Sequence, residues 1–483
     1  MFFLLYLIYI KDIDFHLHNL EHSLFQVYPV MEAHVASVED KLIDGLSFKL
    51  SPGASYVQER RSVNFHATGS DRYTSESGVK LIKLQISGDA WMDPSTFRVM
   101  FDLTNLESDA AKQLRPLGGP SAFFRRVRLL AANQVCEDIS DYNRVHQMFS
   151  YLTGEDSSKN VDGEAFGKQW DIQDNRNSAY DANSFPGIPG GMKQTVLFKP
   201  LLGLLNQPKY LPIRYCPLTL ELELVSSSTD PIVSDLDDNR PFTAANTSLK
   251  WQIENVQCLM DMCLLDNALD NSYAEHLLSG KALPVNYNTY VSQIQSILSG
   301  NNGQKDVRLN ITRAFSRLKS VFVSFIRAVP GGELANNLGS KEWNDFYSPM
   351  YSYAKVANNQ FNSQGEFSAQ LQLGSKLYPE FEIRSHNQAY YQLRKTLGIQ
   401  SSSLHSFDID SHEYRTCKFV WGTDMEKILE AGFTGANTRN SDILNVSFKH
   451  NDSDAANYAT SMHIVLHSDN ILEIRDSGTV VFD

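Results

Sequence analysis

Few residues in this chain have the types and spacing that suit chemistry. The tract His16-Leu17-His18-Asn19-Leu20-Glu21-His22 carries imidazoles and a carboxylate close enough to reach one ion. It lies in an N-terminal stretch with no clear periodicity and reads as a solvated segment. Asp408-Ile409-Asp410-Ser411-His412-Glu413 offers oxygens of the kind calcium uses, but reads as a polar loop between strands. Cys258 and Cys263 are the only close pair of five cysteines. The segment around them alternates like a strand, which implies buried thiols. His463 and His467 alternate with Met462, Ile464 and Leu466, which places the imidazoles on the polar face of a strand. There they are expected at a surface or a subunit contact, not as an acid–base pair. Arg125, Arg126 and Arg128 are the one compact basic cluster, expected to pair with acidic faces of neighbouring strands or subunits. The sequence has no Gly-x-x-x-x-Gly-Lys loop, Gly-x-Ser-x-Gly elbow or His-Glu-x-x-His helix. The sequons at Asn246, Asn310, Asn445 and Asn451 carry little weight without a secretion signal. No catalytic, cofactor-binding or metal-binding residue is assigned.

Composition points the same way. A chain of 483 residues exceeds one ordinary core. Its 27 Phe and 21 Tyr favour β-structure and large buried contacts. A net charge of −13 argues against a general or sequence-specific nucleic-acid binder, which needs a basic surface. The odd, widely spread cysteines are not a disulfide framework and, if reduced, fit assembly in cytoplasm or nucleus. Met1 to Ile10 is almost wholly apolar but shorter than the roughly 20 residues that span a bilayer. Residues 1–30 read as an upstream extension, with a membrane-touching segment as the alternative.

The elements that would position any site are mostly strands. Phe97, Val99, Phe101 and Leu103 alternate with polar or smaller residues, and Leu218, Leu220, Leu222 and Leu224 alternate with Thr219, Glu221 and Glu223. This period of two marks strands with one face on a core and the other outward. Val307–Ile311, Leu444–Phe448, Met462–Leu466 and Thr479–Phe482 repeat the pattern, and Val321–Ile326 reads as a strand buried on both faces. Helices are expected from Ser140 to Gly154, capped by Ser140 or Asp141, from Ser385 to Gly398, from Thr423 to Gly432, and as a connector from Asn267 to Gly280. Long loops cover 155–191, 226–247 and 330–364. The last carries Trp343, Phe346, Tyr347, Tyr351 and Tyr353, expected to pack on something such as a neighbouring subunit.

The two halves follow one plan: a strand at Phe123–Leu130 then a capped helix, and a strand at Phe367–Leu373 then a capped helix. The expected fold is all-β, two tandem eight-stranded antiparallel jelly rolls with short inserted helices. The expected divisions are an arm at 1–45, a first jelly roll at 46–266, a helical connector at 267–280 and a second jelly roll at 281–483.

Specific segments carry a family resemblance. Phe198-Lys199-Pro200-Leu201-Leu202-Gly203-Leu204-Leu205-Asn206, Lys209 to Tyr215 and Pro217 to Leu224 resemble the first-domain core of double-jelly-roll major capsid proteins. These belong to the Polinton, Polinton-like virus, adintovirus and virophage group, within the adenovirus and giant-virus capsid lineage. Tyr378 to Ser385, the Ala389-Tyr390-Tyr391-Gln392-Leu393-Arg394 helix and Gly432 to Arg439 look like second-domain segments of that group. The resemblance covers about 46–483. It implies a non-enzymatic shell protein of the virion, whose homotrimers tile an icosahedron. Penton and minor capsid proteins would be partners, and some relatives enclose an internal membrane. Two other readings stay open from the residues alone. One is a two-domain carbohydrate-binding or adhesion protein using Trp343, Tyr347 and Tyr351. The other is a double cupin with an inward-facing metal site.

Overall fold

The computed structural model describes residues 56–114, 116, 119–153, 187–228, 230–232, 247–297, 305–327, 346, 348–349, 367–399, 409, 414–415, 418–428, 432–439, 443–450 and 459–483. The strands of the first half are β1 (Val57–Thr68), β2 (Arg72–Tyr73), β3 (Leu81–Ile86), β4 (Trp91–Asn105), β5 (Phe124–Ala131), β6 (Gln134–Ser140), β7 (Lys193–Phe198), β8 (Leu211–Pro212), β9 (Leu218–Leu224) and β10 (Trp251–Leu265). Those of the second are β11 (Leu283–Ser296), β12 (Lys305–Ile311), β13 (Leu318–Arg327), β14 (Phe367–Leu373), β15 (Lys376–Ile383), β16 (Trp421–Asp424), β17 (Leu444–His450), β18 (Ala459–Arg475) and β19 (Gly478–Phe482). Among the described residues three α-helices join them: α1 (Tyr142–Tyr151), α2 (Asn267–Leu278) and α3 (His386–Thr396).

Setting aside the two-residue strands β2 and β8, the first half has eight strands among the described residues. One set runs β1-β10-β4-β7 and the other β3-β9-β5-β6, with β1 crossing from the first to the second through Ala67 and Thr68. Numbered one to eight along the chain, these orders are 1-8-3-6 and 2-7-4-5. The second half repeats both, as β11-β18-β13-β16 and β12-β17-β14-β15, and adds β19 as a hairpin partner of β18. Every ladder between these strands is antiparallel. This strand order, given twice, is two jelly rolls in tandem. In both, a helix follows the fifth strand: α1 after β6 and α3 after β15. Val57–Asp483 form one compact unit.

The alternation seen in the sequence is the core. Phe97, Val99, Phe101 and Leu103 are all fully buried, as are Leu220 and Leu222. Phe101 meets Phe123, Phe124 and Phe198 edge-on, with ring centroids 5.8–6.4 Å apart. The second roll is built alike, with Phe325, Phe367, Phe419 and Phe448 in mutual ring contact. Such edge-to-face pairs add about 0.5–1.5 kcal/mol each beyond the area they bury.

Three expectations are corrected. Glu221 is buried, not outward: β9 lies between β3 and β5, so its carboxylate is flanked by Lys83 and Arg128 from its two neighbours. Asp141 stands at the head of α1 but makes no capping bond. Its backbone is left-handed (φ 48°), whereas a capping side chain needs extended backbone to turn back on the first N–H groups. Ser385 has that extended backbone and accepts from Gln388 N at 3.2 Å. The helix expected from Thr423 does not form over 423–428. Thr423 and Asp424 are in β16, whose pairing with β13 overrides local helix preference.

Phe101→Ala removes the hub of the first roll's aromatic cluster. The expected loss is about 3–5 kcal/mol in denaturant unfolding; a loss under about 1 kcal/mol would contradict this packing.

Candidate functional site at the junction of the two halves

A cluster of deeply buried polar side chains lies where the first jelly roll meets the second. β6 packs against β11 and β19, and the short turn Gly203–Leu205 packs against β11. Glu137, on β6, is almost without solvent contact. Its carboxyl accepts from Gly203 N at 3.0 Å and Leu204 N at 2.8 Å, and is hydrogen-bonded to Thr289 of the second roll. Burial pushes this carboxyl up to about 7, against the pull of those bonds. The Tyr287 hydroxyl donates across the junction to the Cys136 carbonyl at 3.0 Å, and the Thr479 hydroxyl donates to the Ala131 carbonyl at 2.7 Å. Gly203 touches the opposite backbone: a Cβ there would lie 1.5 Å from the Asn288 carbonyl oxygen.

Helix α1 is the centre of the contact. Its Phe149 ring lies 4.5 Å from Tyr290 and 5.2 Å from Phe322, both of the second roll. Arg144 is 1% exposed. Its Nε donates to His463 Nδ1 at 3.2 Å, its Nη2 donates to the Phe325 carbonyl at 3.0 Å, and the guanidinium lies 4.3 Å from the centre of the Phe346 ring. A guanidinium only donates, so His463 Nδ1 must accept and the ring proton sits on Nε2. From there it donates to Ser292 Oγ at 2.8 Å. Burial and the Arg144 charge hold His463 far below the ordinary imidazole range, in its neutral form.

The fate of the sequence candidates follows. His463 is not at a surface or subunit contact. It is fully buried inside one chain, because the outer face of β18 is covered by α1 of the other half. His467 stacks on Tyr290 at 4.9 Å with its Nδ1 3.1 Å from Ser320 Oγ. Arg126 makes a bidentate pair with Asp138, and Arg128 pairs with Glu221, so both sit on neighbouring acidic strands as expected. Cys258 and Cys263 are free, buried thiols on β10. Phe346 packs within its own chain, on Tyr151 and Arg144. The histidine tract at 16–22, Asp408, Asp410, His412, Glu413, Trp343, Tyr347, Tyr351 and Tyr353 lie outside the described residues.

Glu137, Arg144 and Gly203 were not singled out by sequence reasoning. One signal existed: Arg144, Met148 and Tyr151 recur at helical spacing, which puts an arginine in an apolar stripe. Glu137 gives no signal, since an acidic residue in an alternating strand looks outward-facing.

No family model and no curated protein matches this chain. Its likeness is to solved structures. The VP54 protein of PBCV-1, whose crystal structure was fitted into a cryo-EM reconstruction of the virophage Sputnik, matches with TM-score 0.57 and 12% identity, over 90% of this chain and 99% of its own. The 3.5 Å cryo-EM structure of the Sputnik virophage matches with TM-score 0.58 and 9% identity, over 90% of each chain. The Faustovirus major capsid protein matches with TM-score 0.50 and 9% identity, over 89% of this chain and 92% of its own. At these identities the shared property is the fold, and it extends across both jelly rolls.

One outcome tests the junction and another a buried imidazole of the second roll. Gly203→Ala forces backbone against backbone and is expected to cost at least the 1–3 kcal/mol of an overpacked core; denaturant melts of the variant measure it. A second outcome concerns His386, at the start of α3, packed among Phe367, Phe419 and Tyr414 with its Nε2 2.9 Å from Ser348 Oγ. Burial, then the Arg415 charge, lowers it from 6.5 to about 4. The folded state holds it neutral, so unfolding takes up a proton in acid. Its contribution is intact above about pH 6.5 and falls by about 1.4 kcal/mol per pH unit down to about pH 4. His386→Phe keeps the ring cluster and should remove that share of the acid slope; an unchanged slope would refute it.

Proposed function

We propose that this chain is a viral major capsid protein, built into the virion shell as pseudo-hexagonal homotrimers that tile an icosahedron. The observation that carries this reading is a junction used once within the chain and left open at both ends. Inside the chain, the fifth strand and helix of roll one (β6, α1) pack on the first strand of roll two (β11). The equivalent fifth strand and helix of roll two are β15 and α3, and they are open. Phe381 and Tyr391 are 55% and 58% exposed, and Leu377 is exposed on the same strand. By contrast α1 has no residue in the exposed class. The equivalent first strand of roll one is β1. From Val57 to His66 it pairs only with β10 among the described residues, and Val57–Ser62 are all exposed.

A second copy can therefore offer its β1 edge to the β15–α3 surface and repeat the internal junction head to tail. Such a heterologous contact makes a ring if its rotation closes. Six similar sandwiches at about equal angles close after three chains, with a pseudo-hexagonal outline. Closure also removes the liability of open strand edges. The fold shared with the Faustovirus major capsid protein and the Sputnik structure supports the same reading. So does the buried chemistry, which is spent on joining the two rolls. The reading is non-enzymatic. Penton and minor capsid proteins are the further partners it calls for, with assembly in host cytoplasm or nucleus. The division into an arm at 1–45, rolls at 46–266 and 281–483 and a connector at 267–280 belongs to the same proposal.

Light scattering and negative-stain microscopy of the purified full chain test it. Trimers with a hexagonal outline are expected. The double substitution Phe381→Asp with Tyr391→Asp should give folded monomers with an unchanged circular-dichroism spectrum. Wild-type protein that stays monomeric at all concentrations, or a double variant that trimerises normally, would count against the head-to-tail contact.

A further inference from the structure

Arg144 and His463 join α1 of the first roll to β18 of the second through one hydrogen bond whose acceptor is a lone pair that can take a proton. No other atom of the ring can accept the proton, because Nε2 already carries one and donates it to Ser292. Protonation at Nδ1 therefore does two things at once. It breaks the Arg144 bond, and it sets an imidazolium against a guanidinium within hydrogen-bond distance. We propose that this contact is an acid-released latch: taking up one proton at His463 frees α1 from the second jelly roll.

The groups around the latch decide its sign. From α1 the charged neighbour is Arg144 itself; His146 turns to Ser121 of its own roll at 3.0 Å. From β13 come Ser324, 3.4 Å from Nδ1, and Lys319, which is paired with Glu426 and Asp469. From β11 come Ser292 and Tyr290, and on β18 itself His467 lies two repeats of the strand pattern away, stacked on Tyr290. Lys418 faces the Tyr151 ring at 5.1 Å, on the far end of α1. Arg144 and Lys319 are the charges that bear on the two imidazoles, and both disfavour a second cation. Two carboxyls are near. Glu137 is bonded to Gly203 and Leu204 of its own roll and stays so when α1 lifts. Burial raises Asp141, at the head of α1, so proton uptake there favours the latched form and opposes release.

Once α1 is lifted, His463 is an ordinary imidazole, with an affinity midpoint near pH 6.5. Each released helix then holds one proton that the latched form does not. The lifting equilibrium should rise about tenfold per pH unit below that midpoint, or roughly thirtyfold between pH 7.5 and pH 5. This inference concerns the single chain and stands apart from the capsid reading.

Amide hydrogen exchange of the full chain at pH 7.5, 6.5 and 5, corrected for intrinsic rates, reads it directly. Protection of Tyr142–Tyr151 should fall about thirtyfold, while Phe97–Leu103 keeps its protection. In His463→Gln, whose amide can still accept from Arg144 and donate to Ser292 but does not titrate, the helix should show no such fall. Flat protection of α1 in the wild type, or the same fall in the variant, overturns the proposal. If the variant does not fold, histidine nitrogen NMR of the wild type at pH 7.5 decides. A neutral His463 with its proton on Nε2 supports the latch, and a charged ring or the other tautomer overturns it.

Discussion

The architecture depends on one helix having no free side. α1 packs on β5 of its own roll, and with Arg144, Phe149 and Tyr151 it also meets β11, β13, β18 and Phe346 of the other. A ten-residue helix is marginal alone and is held by packing. Here the packing comes from two separate sandwiches, so neither roll can move without exposing it. The backbone-to-backbone approach at Gly203 and Asn288 fixes the angle between them. The proposed ring of subunits needs that fixed angle, because it closes only when each unit turns by the same amount.

Glu137 and His463, the charged or titratable pair that bridges the rolls, are both answered, which is what makes a buried junction tolerable. Glu137 has two backbone donors and a threonine hydroxyl, and His463 has a donor on one nitrogen and an acceptor on the other. Removing one partner leaves a desolvated group behind, at a cost of about 1–3 kcal/mol. The junction is therefore specific as well as adhesive. An apolar contact of the same area would tolerate sliding, whereas these bonds hold in one register.

Much of the fold was legible in the sequence, because a period of two is imposed by the strand itself. Phe97 to Leu103, Leu444 to Phe448 and Phe367 to Leu373 formed strands at those places. The repeated order of strand and helix was also visible, and the two helices do follow equivalent strands. What alternation cannot show is what lies over the polar face. Glu221 and His463 occupy outward positions by pattern, yet one lies in a central strand between two cations and the other under a helix more than three hundred residues distant in the chain. Thr423 misled for the opposite reason, since its local preference was overruled by pairing with β13. Long-range cover is invisible to any short window, and the candidate site is made of little else.

The distance between Arg144 and His463 along the chain, 319 residues, also sets a clock. At the usual 5–20 residues per second of synthesis, the helix waits on the order of tens of seconds for the strand that covers it. During that interval the first sandwich can fold, but the face of α1 that meets β18 stays bare and the two rolls have no fixed angle. A nascent chain thus lacks the fixed angle between its rolls until nearly all of it has been made. Completion of translation becomes the moment at which the two rolls lock together, timed by connectivity alone.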